Sequence, residues 1–220
     1  MLHYLQNLFQ ALDFSSLADA VLRVAAVFLC LTVHETCHGL AALALGDPTA
    51  KSMHRLSLNP LRHIDWLGLA LMFVAGFGWA KPVPVNPSYF RKPKQGMAIT
   101  ALAGPISNIL LAVLFLWIGK VIYLYAPYSD GMNTFFDWCL FTVAPMSVGM
   151  GIFNLIPFPP LDGSKVLAVF LPDGAYMKLM HYERYGILIL LALSWLGLGG
   201  NALGNAIYGV YEALFHIFFA

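Results

Sequence analysis

Residues 17–45 read LADAVLRVAAVFLCLTVHETCHGLAALAL. A helix needs about 20 apolar residues to cross a hydrocarbon core. This run is long enough, and only Asp19, Arg23 and the cluster His34-Glu35-Thr36-Cys37-His38 interrupt it. A strongly polar cluster inside a membrane-length apolar helix is costly, and ionisable groups at such depth mark function.

The whole chain shares that character. Of its 220 residues 60% are hydrophobic and only 10% charged, with mean hydropathy +0.73. A water-soluble domain carries about 25% charged residues, so a soluble globular enzyme is excluded. With 12 Lys and Arg against 11 Asp and Glu, the net charge is +1. There is no basic face for phosphates, hence no nucleic-acid partner; the lipid bilayer is the partner the composition implies. Cys30, Cys37 and Cys139 lie in apolar stretches and read as small buried hydrophobes. The N-terminus lacks a basic start and a small-residue cleavage site, so the first apolar run is expected to stay in the mature protein.

Further spans are expected at about 96–125 and 135–156, with two weaker ones at 185–198 and 202–219. The apolar stretch 64–80 is shorter, contains Gly68, Gly76 and Gly78, and is followed by Lys81-Pro82-Val83-Pro84-Val85-Asn86-Pro87. Alternate prolines exclude a regular helix there. Residues 46–95 carry seven of the twelve basic residues, on both sides of 64–80. Were that stretch a span, one cluster would be translocated against the positive-inside rule. The fold class expected is a polytopic α-helical membrane protein of about five transmembrane helices, with residues 49–90 a re-entrant or interfacial insert carrying short β-strands. Residues 1–220 form a single membrane-embedded domain. The basic residues at 46–95 and 159–184 face the cytoplasm, so the first and third spans end there.

His34-Glu35-Thr36-Cys37-His38 fits H-E-x-x-H. Residues four apart share a helix face, so His34 and His38 can ligate one metal while Glu35 serves as general base. A catalytic zinc takes three protein ligands and keeps one position open. Glu183 and Glu212 are candidates for the third; Asp162, in Asn154-Leu155-Ile156-Pro157-Phe158-Pro159-Pro160-Leu161-Asp162-Gly163, is the better one. Its prolines force non-helical backbone near membrane depth, tolerated only in protein or beside a polar cavity. The expected topology puts Asp162 at the level of His34 and His38. The plain alternative for Asp162 is an Asp-Gly turn capping a helix.

H-E-x-x-H in an apolar helix, followed over a hundred residues later by N-L-I-P-x-P-P-L-D-G, resembles the site-2 protease family of intramembrane zinc metalloproteases. Trp79-Ala80-Lys81-Pro82-Val83-Pro84-Val85-Asn86-Pro87 and Arg55-Leu56-Ser57-Leu58-Asn59-Pro60 resemble its compact prokaryotic members lacking PDZ or CBS domains. The resemblance covers about residues 30–170. It implies one zinc per chain on His34, His38 and Asp162, Glu35 as catalytic acid and base, and Asn154 as donor to the developing oxyanion. It implies regulated intramembrane proteolysis of a transmembrane protein substrate near the cytoplasmic face, in a multi-pass protein of the cell membrane. A homo-oligomer is left open.

Gly104-Pro105-Ile106-Ser107-Asn108 reads as small-residue helix packing with an interhelical hydrogen bond; the functional alternative makes Asn108 a neighbour of the metal site or of substrate backbone. His54 and His63 read as interfacial, and Tyr208, Tyr211, Phe215, Phe218 and Phe219 as membrane-interface anchors. Extended segments near Met53–Leu58 and Trp79–Asn86 read equally as an edge offered to an unwound substrate and as a membrane-dipping loop that only seals the site from lipid. The alternative function is a non-proteolytic metal-binding transporter or scaffold, which would need further acidic or histidine ligands along its path. The spans are nearly devoid of them.

Overall fold

The computed structural model describes residues 17–68, 80–196 and 200–219. Helix α1 (Leu17–Ala44) carries the first apolar run. After a single helical turn, α2 (Thr49–Ser52), the insert proceeds through short 3-10 turns at Pro60–Arg62 and Pro87–Tyr89. Helix α3 (Pro93–Tyr125) begins three residues before the expected span, because Pro93 at the first turn has the φ a helix needs and no N–H to leave unpaired. Helix α4 (Asp130–Asp137), a π segment (Trp138–Val143) and α5 (Ala144–Asn154) form the third long element. Then come α6 (Asp162–Ala168), α7 (Asp173–Trp195) and α8 (Gly200–Phe219).

Among the described residues three helices are long and apolar enough to cross a membrane: Ala18–Ala44, Pro93–Tyr125 and Asp130–Asn154. The protein is a helical membrane protein. On α3, Leu110, Leu114, Trp117 and Val121 recur at three- and four-residue spacing and are exposed, a continuous apolar stripe suited to lipid. The short strands expected in the insert reduce, among the described residues, to one antiparallel bridge between Ile64 and Ala80. Residues 69–79, most of the apolar 64–80 stretch, lie outside the described residues, as does the N-terminal segment 1–16.

The third long element starts at Asp130 rather than near 135. Apolarity locates a span, but Ser129 starts this helix by accepting the Met132 N–H (3.2 Å). Its π segment has a cause visible in sequence. Pro145 lacks an N–H and would crowd the preceding turn of a regular helix, and the wider π turn just before it relieves that crowding. The Leu140 carbonyl accepts from the Tyr211 hydroxyl of α8 (2.9 Å). The aromatic residues of α8 are thus more than interface anchors: Tyr211, Phe215, Phe218 and Phe219 pack against a buried cluster of Ala112, Leu116, Leu140, Ala144 and Val148. Trp138 ties the π segment to α1 through the Leu22 carbonyl (2.7 Å). All three cysteines are free.

The insert is fixed to the helices by buried polar contacts. Just past α1, fully buried Asp47 accepts from the Asn86 N–H (2.7 Å) and the Thr49 N–H (2.9 Å), and from the Thr49 hydroxyl. Arg55 donates to the Lys81 carbonyl (2.8 Å) and the Pro82 carbonyl (3.3 Å). The segment 81–86 is therefore held at both ends. Burial alone would raise the Asp47 carboxyl; its hydrogen bonds outweigh that and hold it below the usual carboxylate range. The unfolded chain takes up that proton first as pH falls. The stabilisation is complete above the ordinary carboxylate pKa of about 4 and is lost as pH drops through the lower folded value. Asp47→Asn is expected to lose about 1–3 kcal/mol at pH 7, with the gap to the parent closing as pH falls toward 3. Thermal unfolding of both proteins in detergent across that range measures it.

Candidate metal centre

Helix α1 presents His34 and His38 on one face, one turn apart, with rings edge-to-face at 88° and centroids 4.5 Å apart. Asp162 comes from the start of α6. Pro157, Pro159 and Pro160 end α5 and turn the chain, so that α6 begins against the end of α5. A Cβ on Gly163 would stand 2.2 Å from the Leu155 carbonyl oxygen, so the residue after Asp162 can be only glycine if the turn is to close. Asp162 and Gly163 are the first residues of α6 itself, with Leu161 as its N-cap, so the plain reading of a capping Asp-Gly turn does not hold, and the helix start delivers the carboxylate.

The three donors converge. His34 Nε2 and His38 Nε2 are each 3.1 Å from Asp162 Oδ2, and 3.0 Å from one another. Among the described residues these are the only His, Cys, Asp and Glu side chains grouped within metal-ligating reach, and all three are buried. A tetrahedral ion with bonds of about 2.0–2.1 Å holds its donors about 3.3 Å apart, close to the triangle observed. Donor chemistry agrees. His38 Nδ1 lies 2.7 Å from the Thr100 carbonyl, which can only accept, so Nδ1 carries the proton and Nε2 keeps a free lone pair. The set fits zinc. Asp162 Oδ1 faces Lys165 (3.7 Å). Burial would raise the Asp162 carboxyl, and the Lys165 ammonium opposes this by favouring its charged form.

The wall behind the imidazoles is α3. A Cβ on Gly104 would lie 2.5 Å from His38 Nε2 and 2.6 Å from His34 Cε1. Glu35, next to the ligands, has its carboxylate fixed: Oε2 accepts from the Val83 N–H (2.8 Å). Flanking Pro82 and Pro84 have no N–H, so Val83 is the donor this stretch can turn inward. The other two candidates for the third ligand fall elsewhere. Glu212 pairs loosely with His216 on an exposed face of α8 (3.9 Å), and Glu183 lies on α7 outside the donor group. Asn154, at the end of α5, is half-buried and donates to the Met150 carbonyl of its own helix (3.0 Å).

His63 is not interfacial; it is fully buried, its Nε2 2.8 Å from the Ser57 carbonyl. That carbonyl also accepts from Thr36 Oγ1 (3.1 Å), a variable position of H-E-x-x-H that anchors the insert to α1. The proposed edge segments are thus partly engaged within the chain already, at Ser57 and at Val83. Asn108 does more than join helices: its amide Nδ2 is 3.4 Å from His34 Nδ1.

No family model and no solved structure matches the chain. Among curated proteins it is 35% identical over 204 residues to "Putative zinc metalloprotease YwhC" of Bacillus subtilis, spanning 87% of this chain and 91% of that one. The chain belongs to the site-2 protease family. It is also 28% identical over 178 residues to "Putative zinc metalloprotease Rip2" of Mycolicibacterium smegmatis, covering 79% of this chain and 66% of the relative. A third relative, "Putative zinc metalloprotease mll0638" of Mesorhizobium japonicum, is 40% identical over 62 residues, 26% of this chain and 17% of its own. The names of these site-2 protease relatives support a metalloprotease with zinc as its cofactor.

Gly104 offers the sharpest check on the site-2 protease centre. The imidazoles cannot swing aside, being held at Asp162 on one side and at Thr100 and Asn108 on the other. Gly104→Ala is expected to lower zinc affinity about 10–100-fold with helical content unchanged, read by chelator competition and circular dichroism.

Proposed function

We propose that the protein is an intramembrane zinc endopeptidase that hydrolyses peptide bonds in transmembrane segments of membrane proteins near the cytoplasmic face, in regulated intramembrane proteolysis. The observation that carries the reading is the convergence of His34, His38 and Asp162 beside Glu35, on a helix long and apolar enough to cross a membrane. In this reading the chain is one multi-pass domain of the cell membrane, with α7 and α8 bringing the crossings to five and one zinc per chain. The partners are a transmembrane protein substrate and the bilayer; the chain can also self-associate, and it takes no nucleic acid.

A zinc ion held by these three ligands would acidify water and polarise the scissile carbonyl. The chain's own residues do the rest. Val83 holds Glu35 Oε2, leaving Oε1 to take a proton from the attacking water and return it to the departing amine nitrogen. One Asn154 amide hydrogen is engaged with Met150; the second donates to the negative charge developing on the carbonyl oxygen, a contact worth about 3 kcal/mol in such sites. Burial of the ligands excludes bulk water and strengthens each of these interactions.

Glu35→Gln is expected to keep zinc and lower cleavage of a reconstituted membrane substrate at least about 10²–10⁴-fold. Asp162→Ala is expected to lose zinc, while Glu183→Ala and Glu212→Ala retain it. Metal analysis of the purified variants, with gel-based cleavage in proteoliposomes, reads both. Full activity in Glu35→Gln would overturn the mechanism.

A further inference from the structure

Thr100, Gly104 and Asn108 are spaced four residues apart and share one face of α3, the face against the two histidines. Thr100 supplies a carbonyl to His38 Nδ1, Gly104 the space for both rings, and Asn108 an amide to His34 Nδ1. The first two roles are complete. The third contains a contradiction that leads to an assignment.

Asn108 is fully buried. With its Nδ2 toward His34 Nδ1 at 3.4 Å, its Oδ1 is buried without a partner. In that orientation Nδ2 could bond only to a bare Nδ1, which puts the imidazole proton on Nε2. Yet Nε2 is the atom turned toward His38 and Asp162, and a protonated Nε2 cannot ligate a metal. One change removes both problems. The amide oxygen and nitrogen are told apart only by their hydrogen bonds. Rotating the amide by 180° brings the orphaned Oδ1 to His34 Nδ1, where it accepts a proton and leaves Nε2 bare. A buried acceptor gains its partner, and both histidines then present a lone pair to the same point.

We propose that Asn108 is a positioning residue for the zinc site: its side-chain oxygen accepts the His34 Nδ1 proton and fixes the ring in the tautomer that binds metal. Ser147 on α5 supports it, donating its buried hydroxyl to the Asn108 backbone carbonyl (2.7 Å) and so holding α3 at this level. The two ligands are then oriented differently. His38 depends on a main-chain carbonyl that substitution at Thr100 leaves in place, whereas His34 depends on a side chain, and that dependence can be tested directly.

The assignment rests on the zinc reading above, and its test separates the two. Zinc affinity is measured by chelator competition on full-length protein in detergent for the parent, Asn108→Leu and Asn108→Asp. Leucine matches the volume without an acceptor; aspartate restores acceptor oxygens. Asn108→Leu is expected to bind zinc about 10–100-fold more weakly, and Asn108→Asp within a few-fold of the parent. In zinc-loaded, ¹⁵N-histidine-labelled parent, the His34 Nδ1 proton is expected as a resonance protected from solvent exchange. It persists in Asn108→Asp and is lost or exchanges rapidly in Asn108→Leu. Unchanged affinity in Asn108→Leu overturns the proposal, as does Asn108→Asp binding as weakly as Asn108→Leu, which would make the position one of packing alone. Should Asn108→Leu not fold, a freely exchanging His34 Nδ1 proton in the parent overturns it equally. A parent that binds no zinc fails the metalloprotease reading itself.

Discussion

Between α1 and α3 there is room for two imidazole rings only because position 104 has no side chain. That absence brings the α3 backbone to the rings, where the Thr100 carbonyl reaches His38 and the Asn108 amide reaches His34. In a low-dielectric interior an unpaired ring N–H costs about 1–3 kcal/mol, so the helices must meet at this level and in this rotation. The site is therefore also a register pin for the bundle. Sliding α3 by one residue would turn Gly104 away from the rings and Asn108 away from His34. Gly151 of α5 lies against the same part of α3, close to the Pro105 carbonyl, and Ser147 bonds to Asn108, so the third long element is indexed to the same level.

That pin explains why the fourth contributor can come from a short, irregular stretch. Residues 155–161 carry three prolines and make few repeating hydrogen bonds, which would suit a mobile loop. They instead follow a helix already fixed in register, and Gly163 lets α6 start against its end. The carboxylate is delivered from a bent backbone with little freedom left. Lys165, one turn along α6, faces its second oxygen and keeps it from competing for the histidines.

The chemistry of the site was legible in the sequence to the extent that it is local. H-E-x-x-H brings His34, Glu35 and His38 together by helical spacing alone, and the proline-bounded Asp162 is conspicuous in a chain with so few carboxylates. The three long apolar elements were legible for the same reason, since membrane length is a property of consecutive residues. What escaped reading depends on tertiary contact. Tyr211 looks like an interface anchor until its hydroxyl is seen on the carbonyl left over at the π segment. His63 has the polarity of a surface residue, and only the folding of the insert buries it against Ser57. Gly104 and Asn108 announced close packing, with a neighbour of the metal site as the alternative, and only the rotation of α3 about its axis turns them to the His34 and His38 rings. The end helices differ again: α7 and α8 are helical as expected, yet their apolar runs are diluted by Lys178, Glu183, Arg184 and small or polar residues, so composition alone does not rank them with the other three.

The least legible contact, Val83 to Glu35, joins the insert to the chemistry. A carboxylate in an apolar bundle has four lone-pair sites seeking donors, and a free rotor there would sample several of them. Pinning Oε2 with a main-chain donor removes that freedom while leaving Oε1 without a hydrogen bond among the described residues. A side-chain donor would be a poor choice, because it could follow the carboxylate or transfer its own proton; a backbone N–H can do neither. Prolines on both sides make the choice unambiguous, since neither neighbour has an N–H that could take Val83's place. The strap must also be stiff for the pin to hold, and it is held at Lys81 and Pro82 by Arg55 and at Asn86 by Asp47, both outside the helix that carries Glu35. A segment that reads in sequence as an irregular, proline-rich excursion thus acts as a rigid arm whose one inward donor fixes the Glu35 carboxylate.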